Sequence, residues 1–167
     1  MFDLRPNEEK WFSGSGINYS FSEILKDISS SRCQIHVGTD SDPNGKKYTF
    51  VTGIALIVPG GGSRYFWTRK YFKPNRFSDL RSRLVLETYH SICVAEHIRH
   101  ILDIQNLTLH IDVSSNPQHK SQKYHKFLKN YAAGMGYEVK VKPNSWAASS
   151  IADRHTKSFG LPKENNC

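Results

Sequence analysis

A strand-like segment that runs into two aspartates constrains this chain more than any other stretch. Apolar and polar residues alternate from Cys33 to Gly38, which is the period-two pattern of a β-strand. Asp40 and Asp42 follow, and a Pro-Asn-Gly sequence at 43–45 then predicts a turn. We therefore expect Asp40 where the strand leaves the sheet. That position is typical of catalytic groups in α/β folds, and it is also common for aspartates that only shape a turn.

The composition fits a single basic domain. The 167 residues are enough for one hydrophobic core, and 23 Lys and Arg against 15 Asp and Glu give a formal charge of +8. This excess predicts a polyanionic partner, with nucleic acid ahead of a membrane, although a merely soluble basic surface has the same charge. Cys33, Cys93 and Cys167 are too scattered for a disulfide framework or a zinc site. With no stretch of membrane-spanning length, the prediction is a cytoplasmic protein without a membrane partner.

The first half of the chain predicts a helix and a three-stranded meander. Residues 1–30 are predicted to be an N-terminal extension, in which Ser20 and Glu23 form the capping box of a short packing helix. The strand of Cys33 is followed by β-branched and aromatic runs at 47–58 and 64–72, which predict two further antiparallel strands. A main domain at 31–158 and a polar tail at 159–167 complete the predicted organisation.

The second half of the chain alternates helices with strands. The predicted elements are a long helix capped by Ser78 or Asp79, a strand at 107–113, a helix capped by Asn116 with Pro117 in its first position, a strand at 137–141, and a last helix from Trp146 to about Thr156. Each of these two strands is reached through a helix. Right-handed crossovers therefore predict that both run parallel to a neighbouring strand.

Four carboxylates occupy positions that suit a functional site. Asp40 and Asp112 lie near predicted strand ends, Glu87 lies on the long helix, and Asp153 lies on the last helix. If the strands of Asp40 and Asp112 are adjacent and parallel, both aspartates leave the sheet at the same edge. Glu87 is expected near the apolar face of its helix, where it can line a site. The alternative is a flank position in which Glu87 pairs with Arg83.

Four acidic groups in one pocket predict bound cations, because the carboxylates repel one another unless divalent ions neutralise them. Two Mg²⁺ or Mn²⁺ ions on oxygen ligands are what two-metal phosphoryl chemistry needs, since one ion activates water and the other stabilises the leaving oxygen. A basic surface around an acidic pocket would collect phosphates for cleavage. The pattern therefore favours a nuclease.

Four short segments carry a resemblance to a known family. They are Thr39-Asp40-Ser41, Arg83–Thr88, His110-Ile111-Asp112 and Ile151-Ala152-Asp153. In this order the chain resembles the ribonuclease H-like superfamily over residues 30–158, and more closely the YkuK-type proteins, which are predicted to be ribonuclease H-related. The resemblance implies a five-stranded mixed sheet of order 3-2-1-4-5, flanked by helices, and metal-dependent phosphodiester hydrolysis.

The resemblance also implies a role for each carboxylate. Asp40 is expected to bridge two Mg²⁺ or Mn²⁺ ions, Glu87 and Asp112 to bind one of them, and Asp153 to bind the other. The predicted function is hydrolysis of RNA, RNA–DNA hybrid or structured DNA. The alternative is a catalytically inactive nucleic-acid-binding module on the same fold.

Three features depart from the pattern of ribonuclease H itself. Ser41 follows the first aspartate where that enzyme has a glycine, so Asp42 is either an extra ligand or a turn residue. No histidine clearly matches the loop histidine that assists product release, and the candidates are His119 and His155. The long central helix lacks the separate basic handle of bacterial ribonuclease H. The eight histidines lack zinc-site spacing, and we expect surface imidazoles to account for most of them.

Six basic residues are candidates for contacts with a nucleic-acid backbone: Arg69, Lys70, Lys73, Arg76, Lys120 and Lys123. The first four are interleaved with aromatic residues that can stack on bases. The alternative is a solvated entry to the long helix, with the aromatic residues in the core. The last two belong to a series of lysines spaced three residues apart, which either contacts a backbone or forms an ordinary solvated face.

Overall fold

The structure, a computed structural model, describes residues 4–156. Within this range the elements are β1 (Trp11–Ser13), β2 (Asn18–Tyr19), α1 (Phe21–Ser30), β3 (Gln34–Asn44), β4 (Lys47–Ile57), β5 (Ser63–Phe72), α2 (Leu80–Leu102), β6 (Leu107–Ser114), α3 (Gln122–Gly134), β7 (Glu138–Lys142) and α4 (Ala147–Thr156). None of these helices has the length and apolar character that crossing a membrane requires. The predicted tail at 159–167 lies outside the described residues.

The strands form one mixed sheet of order β2-β1-β5-β4-β3-β6-β7. Strands β3, β4 and β5 pair antiparallel, and β6 and β7 run parallel to their neighbours. The α/β class with a mixed sheet is therefore confirmed. The predicted number of five strands is wrong, and the order 3-2-1-4-5 covers only the part from β5 to β7. The missed strands β1 and β2 contain three and two residues, too few to show a period-two pattern.

Helices pack on both faces of the sheet. Apolar residues of β3 and β6, such as Val37 and Leu109, form the main core with α1, α2 and α3. On the other face α4 packs through Ile151 against β4. Helix α4 also approaches β3 closely, because a Cβ atom on Gly38 would lie 2.5 Å from the backbone nitrogen of Ala148. The absence of a side chain at Gly38 therefore lets α4 dock directly on β3.

The predicted starts of α1 and α2 are found in the structure. The Ser20 hydroxyl accepts a hydrogen bond from the Glu23 backbone at 3.2 Å, and the Glu23 carboxylate accepts one from the Ser20 backbone at 2.7 Å. This reciprocal pair is the predicted capping box. For α2 the cap is Asp79 rather than Ser78, since the Asp79 carboxylate accepts from the Ser82 backbone at 2.8 Å.

The predicted start of α3 is wrong. The helix begins at Gln122 rather than at Pro117, and Ser121 is its N-cap residue. The Asn116 side chain accepts a hydrogen bond from the Gln118 backbone at 3.0 Å, which forms a local turn in place of a helix start. The residues from 115 to 121 consequently form a loop between β6 and α3.

The predicted end of the first long strand is also corrected. Strand β3 stays paired with β4 up to Asn44, because the hairpin turn lies at Gly45, whose φ of +47° suits glycine. Pairing between β3 and β6 ends earlier, at Gly38 and His110. Asp40 therefore lies where β3 and β6 part, and the crevice between these strands opens beside it.

The expectation that most histidines are surface residues is wrong. His36, His90 and His110 are buried, and only His100 and His119 are exposed. His110 Nδ1 accepts hydrogen bonds from the backbone of Trp146 at 3.0 Å and Ala147 at 3.3 Å. Burial lowers the pKa of His110 to about 3, so the imidazole is a neutral part of the core.

Candidate functional site

An open pocket of about 450 Å³ lies at the sheet edge where β3 and β6 part. Three of the four predicted carboxylates line it, namely Asp40, Glu87 and Asp112. The other lining residues come from the start of α2, the loop before α3 and the end of β7: Leu80, Arg83, Leu84, His119, Lys120, Ser121 and Lys142. The pocket therefore combines carboxylates with basic side chains.

Asp40 is the carboxylate that β3 contributes to this pocket. Burial, followed by the negative charge of Asp112, raises the pKa of Asp40 to about 7. Asp153 acts in the same direction, whereas Lys142 and a 2.8 Å hydrogen bond from the Ser41 backbone oppose the shift. In the metal-free pocket Asp40 therefore retains its proton up to about neutral pH.

Glu87 comes from α2 and is only 4% exposed. Its carboxylate accepts a hydrogen bond from the Ser41 hydroxyl at 2.5 Å. Burial and the neighbouring Asp40 raise the pKa of Glu87 well above its usual range, while Ser41 and Arg83 oppose this shift. Glu87 thus lies on the inner side of its helix and contacts β3, and Arg83 acts on it through charge.

Asp112 comes from β6 and forms an ion pair with the chain's own Lys142. The Lys142 ammonium lies 2.8 Å from Asp112 Oδ1. The pairing of β6 with β7 is irregular between Ile111 and Ser114, as in a β-bulge, and such irregularities redirect side chains. An ammonium group therefore neutralises this carboxylate inside the pocket.

Asp153 lies beside the pocket rather than among its lining residues. It is exposed on α4, and its charge reaches Asp40, because it contributes to the raised pKa of that residue. The structure therefore brings Asp40, Glu87 and Asp112 around one pocket and leaves Asp153 at its margin.

The comparisons with known proteins agree with this architecture. A model of the family described as Ribonuclease H-like matches residues 19–157. The chain belongs to the ribonuclease H-like family. It is also similar to the protein named "Uncharacterized protein YkuK" of Bacillus subtilis (strain 168), with 29% identity over 149 residues that cover 80% of this chain and 84% of that protein. No solved structure shows a significant match to the chain. The predicted membership in the YkuK-type, ribonuclease H-like family is confirmed.

The ribonuclease H-like fold commonly uses divalent metal ions, which need several oxygen ligands around one point. Among residues 4–156, no group of three or more His, Cys, Asp or Glu side chains is arranged to hold a metal ion. The Glu87 carboxylate accepts a hydrogen bond from Ser41, and the Asp112 carboxylate forms an ion pair with Lys142. The donor set nevertheless fits a hard divalent cation in its chemistry, because it consists of carboxylates, and neighbouring negative charges help to raise the pKa of Asp40 and of Glu87.

Two of the six basic residues predicted to contact nucleic acid lie close to the pocket. Lys120 lines it, and Lys123 follows one turn later at the exposed start of α3. Lys73 and Arg76 are exposed in the segment that leads from β5 into α2, whose first residue, Leu80, lines the pocket.

The remaining two basic residues make contacts within the protein. Arg69 lies half-buried and donates a hydrogen bond to the backbone oxygen of His155 at 3.4 Å. The Lys70 ammonium lies 2.5 Å from a carboxylate oxygen of Glu9. The interaction of these residues with nucleic acid stays a prediction, as it does for the other four.

The two candidate loop histidines lie in different places. The His155 ring stacks on Trp67 with a centroid distance of 3.9 Å, and its Nε2 atom lies 3.1 Å from the Tyr65 hydroxyl. His155 is therefore part of the packing between α4 and β5. His119 lines the pocket from the loop before α3.

Two residues that act on the carboxylates had no predicted role: Lys142, which lines the pocket, and Ser41, which donates a hydrogen bond to Glu87. A signal for Lys142 exists, because β7 runs parallel to β6 and both strands end at the edge where Asp112 lies. Since Asp112 lies near the end of one strand and Lys142 at the end of its parallel neighbour, both are expected at the same edge of the sheet. Ser41 had no comparable signal, because its hydrogen bond to Glu87 joins residues that are 46 positions apart.

Proposed function

We propose that this protein is a metal-dependent nuclease that cleaves phosphodiester bonds of RNA, RNA–DNA hybrid or structured DNA. The observation that supports the proposal is the pocket in which Asp40, Glu87 and Asp112 meet. Perturbed pKa values in a cleft are typical of functional sites. The chain's formal charge of +8 and its family support a nucleic-acid substrate. A cytoplasmic location is part of the proposal.

The basic residues of the pocket bind the phosphate in this proposal. Arg83 and Lys120 line the pocket together with the carboxylates, and charge-assisted hydrogen bonds from such groups favour phosphate oxygens. Ser41 orients Glu87 through the 2.5 Å hydrogen bond between their side chains. These residues position the substrate and one carboxylate relative to each other.

The carboxylates supply the ligands for the metal. Asp40, Glu87 and Asp112 would hold divalent cations, with Asp153 as a further ligand at the margin. When bound, Mg²⁺ or Mn²⁺ supplies an activated water and stabilises the leaving oxygen of the phosphodiester. The chain's own contribution is to bury the Glu87 carboxylate and to keep Asp40 and Asp112 on adjacent strands.

The proposal is tested by cleavage assays on four labelled substrates: RNA–DNA hybrid, single-stranded RNA, duplex DNA and branched DNA. We expect cleavage of at least one substrate with Mg²⁺ or Mn²⁺ and none with a chelator. Asp40→Asn should abolish cleavage, because an amide is a poorer cation ligand of similar shape. Asp42→Asn is the matched control from the same strand outside the pocket lining, and it should cleave like the parent. Equal cleavage by Asp40→Asn and the parent would contradict the proposal.

A second function is favoured by the ion pair between Lys142 and Asp112. A protein ammonium that neutralises a carboxylate is compatible with a module that binds nucleic acid without cleaving it. In that case the protein binds the same substrates in chelator, and none of them is cut with either metal. The cleavage assay and a binding assay in chelator together distinguish the two functions.

A further inference from the structure

A second cavity, of about 440 Å³, lies between α2 and α3 and has no part in the proposed cleavage. We refer to it as the α2–α3 groove. Its lining residues are Ser82, Val85, Leu86, Tyr89, Phe127, Leu128 and Tyr131. Leu86 and Leu128 are buried, whereas Phe127 and Tyr131 are 50% and 44% exposed. Large aromatic side chains are thus presented to solvent above an apolar floor.

The two helices contribute matching rows of residues to this groove. On α2 the row consists of positions 81, 85 and 89, and on α3 it consists of positions 123, 127 and 131. Residues four positions apart lie on one face of a helix. Each row contains a cation, then an apolar residue, then a tyrosine, and both helices begin at the carboxylate pocket. The cations Arg81 and Lys123 therefore stand at the end of the groove nearest to that pocket.

The surroundings of the groove favour a ligand that is both aromatic and anionic. The Arg81 guanidinium lies 5.8 Å from the centre of the Phe127 ring. The rings of Phe127 and Tyr131 are close to parallel, with an angle of 15° and a centroid distance of 6.4 Å. Helix α3 contains Lys123, Lys126 and Lys129 but no acidic residue. Aromatic side chains beside cations are the combination that binds single-stranded nucleic acid, because bases stack on the rings and phosphates meet the cations.

The groove and the carboxylate pocket are neighbours along the same helices. On α2, Arg83 and Leu84 line the pocket, whereas Ser82 and Val85 line the groove. At the start of α3, Ser121 lines the pocket, and the row of the groove begins two residues later. A polynucleotide at the pocket can therefore continue into the groove.

We propose that the α2–α3 groove binds a single-stranded segment of the nucleic acid, with bases stacked on Phe127 and Tyr131 and phosphates held by Arg81 and Lys123. The inference rests on the proposed function for the identity of its ligand. A duplex does not fit this arrangement, because its base faces are already stacked inside the helix. The groove therefore selects substrates that have a single-stranded part next to the bond at the pocket.

The test measures binding in chelator by fluorescence anisotropy, with a labelled oligouridylate and a DNA duplex of the same length. Phe127→Leu keeps an apolar side chain but removes the ring, and we expect the Kd for the single strand to rise about tenfold. Phe127→Trp keeps a stacking surface and should bind like the parent. Neither substitution should change the Kd for the duplex.

Ile101→Ala is the control for a general effect of exposed apolar side chains. Ile101 is 50% exposed, but it lies near the end of α2, outside the groove. Its substitution should leave both Kd values unchanged. Since no metal is present, the result is independent of whether the protein cleaves its ligand.

Three outcomes overturn the inference. The first is a Phe127→Leu variant that binds the single strand as tightly as the parent does. The second is an equal loss of affinity for single strand and duplex. The third is a parent protein that is a dimer by light scattering and becomes a monomer on Phe127→Leu substitution, since a second copy would then occupy the groove.

Discussion

The ammonium of Lys142 lies 2.8 Å from Asp112 Oδ1, inside the pocket that Asp40 and Glu87 also line. Strand β7 thus places a positive charge where the carboxylate of β6 would meet a metal ion. A divalent cation that binds Asp112 must compete with this ammonium for the same oxygen. Lys142 is therefore expected to set how tightly the pocket binds metal.

Replacement of Lys142 by methionine tests this expectation. Lys142→Met removes the charge and keeps the length of the side chain, so without metal Asp112 loses the ion pair. We expect the free energy of unfolding in chelator to fall by about 1–2 kcal/mol, as for a partly buried pair. The rise in Tm on addition of Mg²⁺ or Mn²⁺ should be larger than in the parent, because the metal no longer displaces an ammonium.

Lys140→Met is the matched control, since Lys140 lies on the same strand outside the pocket lining. Calorimetric melts of both variants, each in chelator and in metal, give the comparison. A Lys142→Met protein with an unchanged response to metal would mean that Lys142 does not compete at the metal site.

The stability of the metal-free protein should depend on the protonation of Asp40. Burial and Asp112 raise the pKa of Asp40 to about 7, whereas an unfolded chain has an Asp pKa of about 3.9. The folded state binds this proton more tightly, so the stabilisation is fully present below about pH 4 and is lost as the pH rises through about 7. Titration of Asp40 lowers the free energy of unfolding by at most about 1.4 kcal/mol per pH unit. The raised pKa of Glu87 likewise makes the metal-free protein less stable as the pH rises.

Melting temperatures of parent and Asp40→Asn in chelator, taken from pH 5 to pH 8, measure this contribution. The parent should lose stability relative to the variant as the pH increases, because asparagine does not titrate. Parallel curves for the two proteins would show that Asp40 has no raised pKa in the folded state.

The close contact between Gly38 and α4 predicts a strong effect of a single methyl group. A Cβ at Gly38 would lie 2.5 Å from the nitrogen and 2.7 Å from the Cα of Ala148. We expect Gly38→Ala to lower the free energy of unfolding by about 1–3 kcal/mol, because the backbone of α4 has to move. Gly62→Ala serves as the control, since no atom lies within 4 Å of its added Cβ. Urea denaturation that gives equal stabilities for the two variants would contradict the close approach.

The inner part of the sheet was predictable because its strands are long and bordered by clear turns. The capping box of Ser20 and Glu23 likewise identified a helix start from local chemistry alone. The errors have physical reasons. Strands β1 and β2 are too short to show a periodic pattern, and their stability comes from pairing and from the burial of Trp11. Asn116 formed a turn where a helix cap was expected, because the same side chain satisfies either structure.

The candidate site was predictable to the extent that strand order determines it. Asp40 and Asp112 line one pocket because β3 and β6 are adjacent and parallel, and a parallel orientation is expected for a strand that is reached through a helix. The contact between Ser41 and Glu87 depends on tertiary packing, so local sequence patterns contain no signal for it. The buried His110 was missed for a similar reason, since its partners are backbone groups 36 and 37 positions away.

The central claim is that the Asp40 pocket binds divalent cations, and a titration of the purified protein with Mn²⁺ tests it most directly. Free Mn²⁺, followed by electron paramagnetic resonance, should be depleted by the parent protein and by Asp42→Asn to the same extent. Asp40→Asn should deplete it much less, because the carboxylate that β3 contributes to the pocket is gone. A parent protein that leaves Mn²⁺ free at millimolar concentrations, or an Asp40→Asn variant that binds it like the parent, would contradict the account.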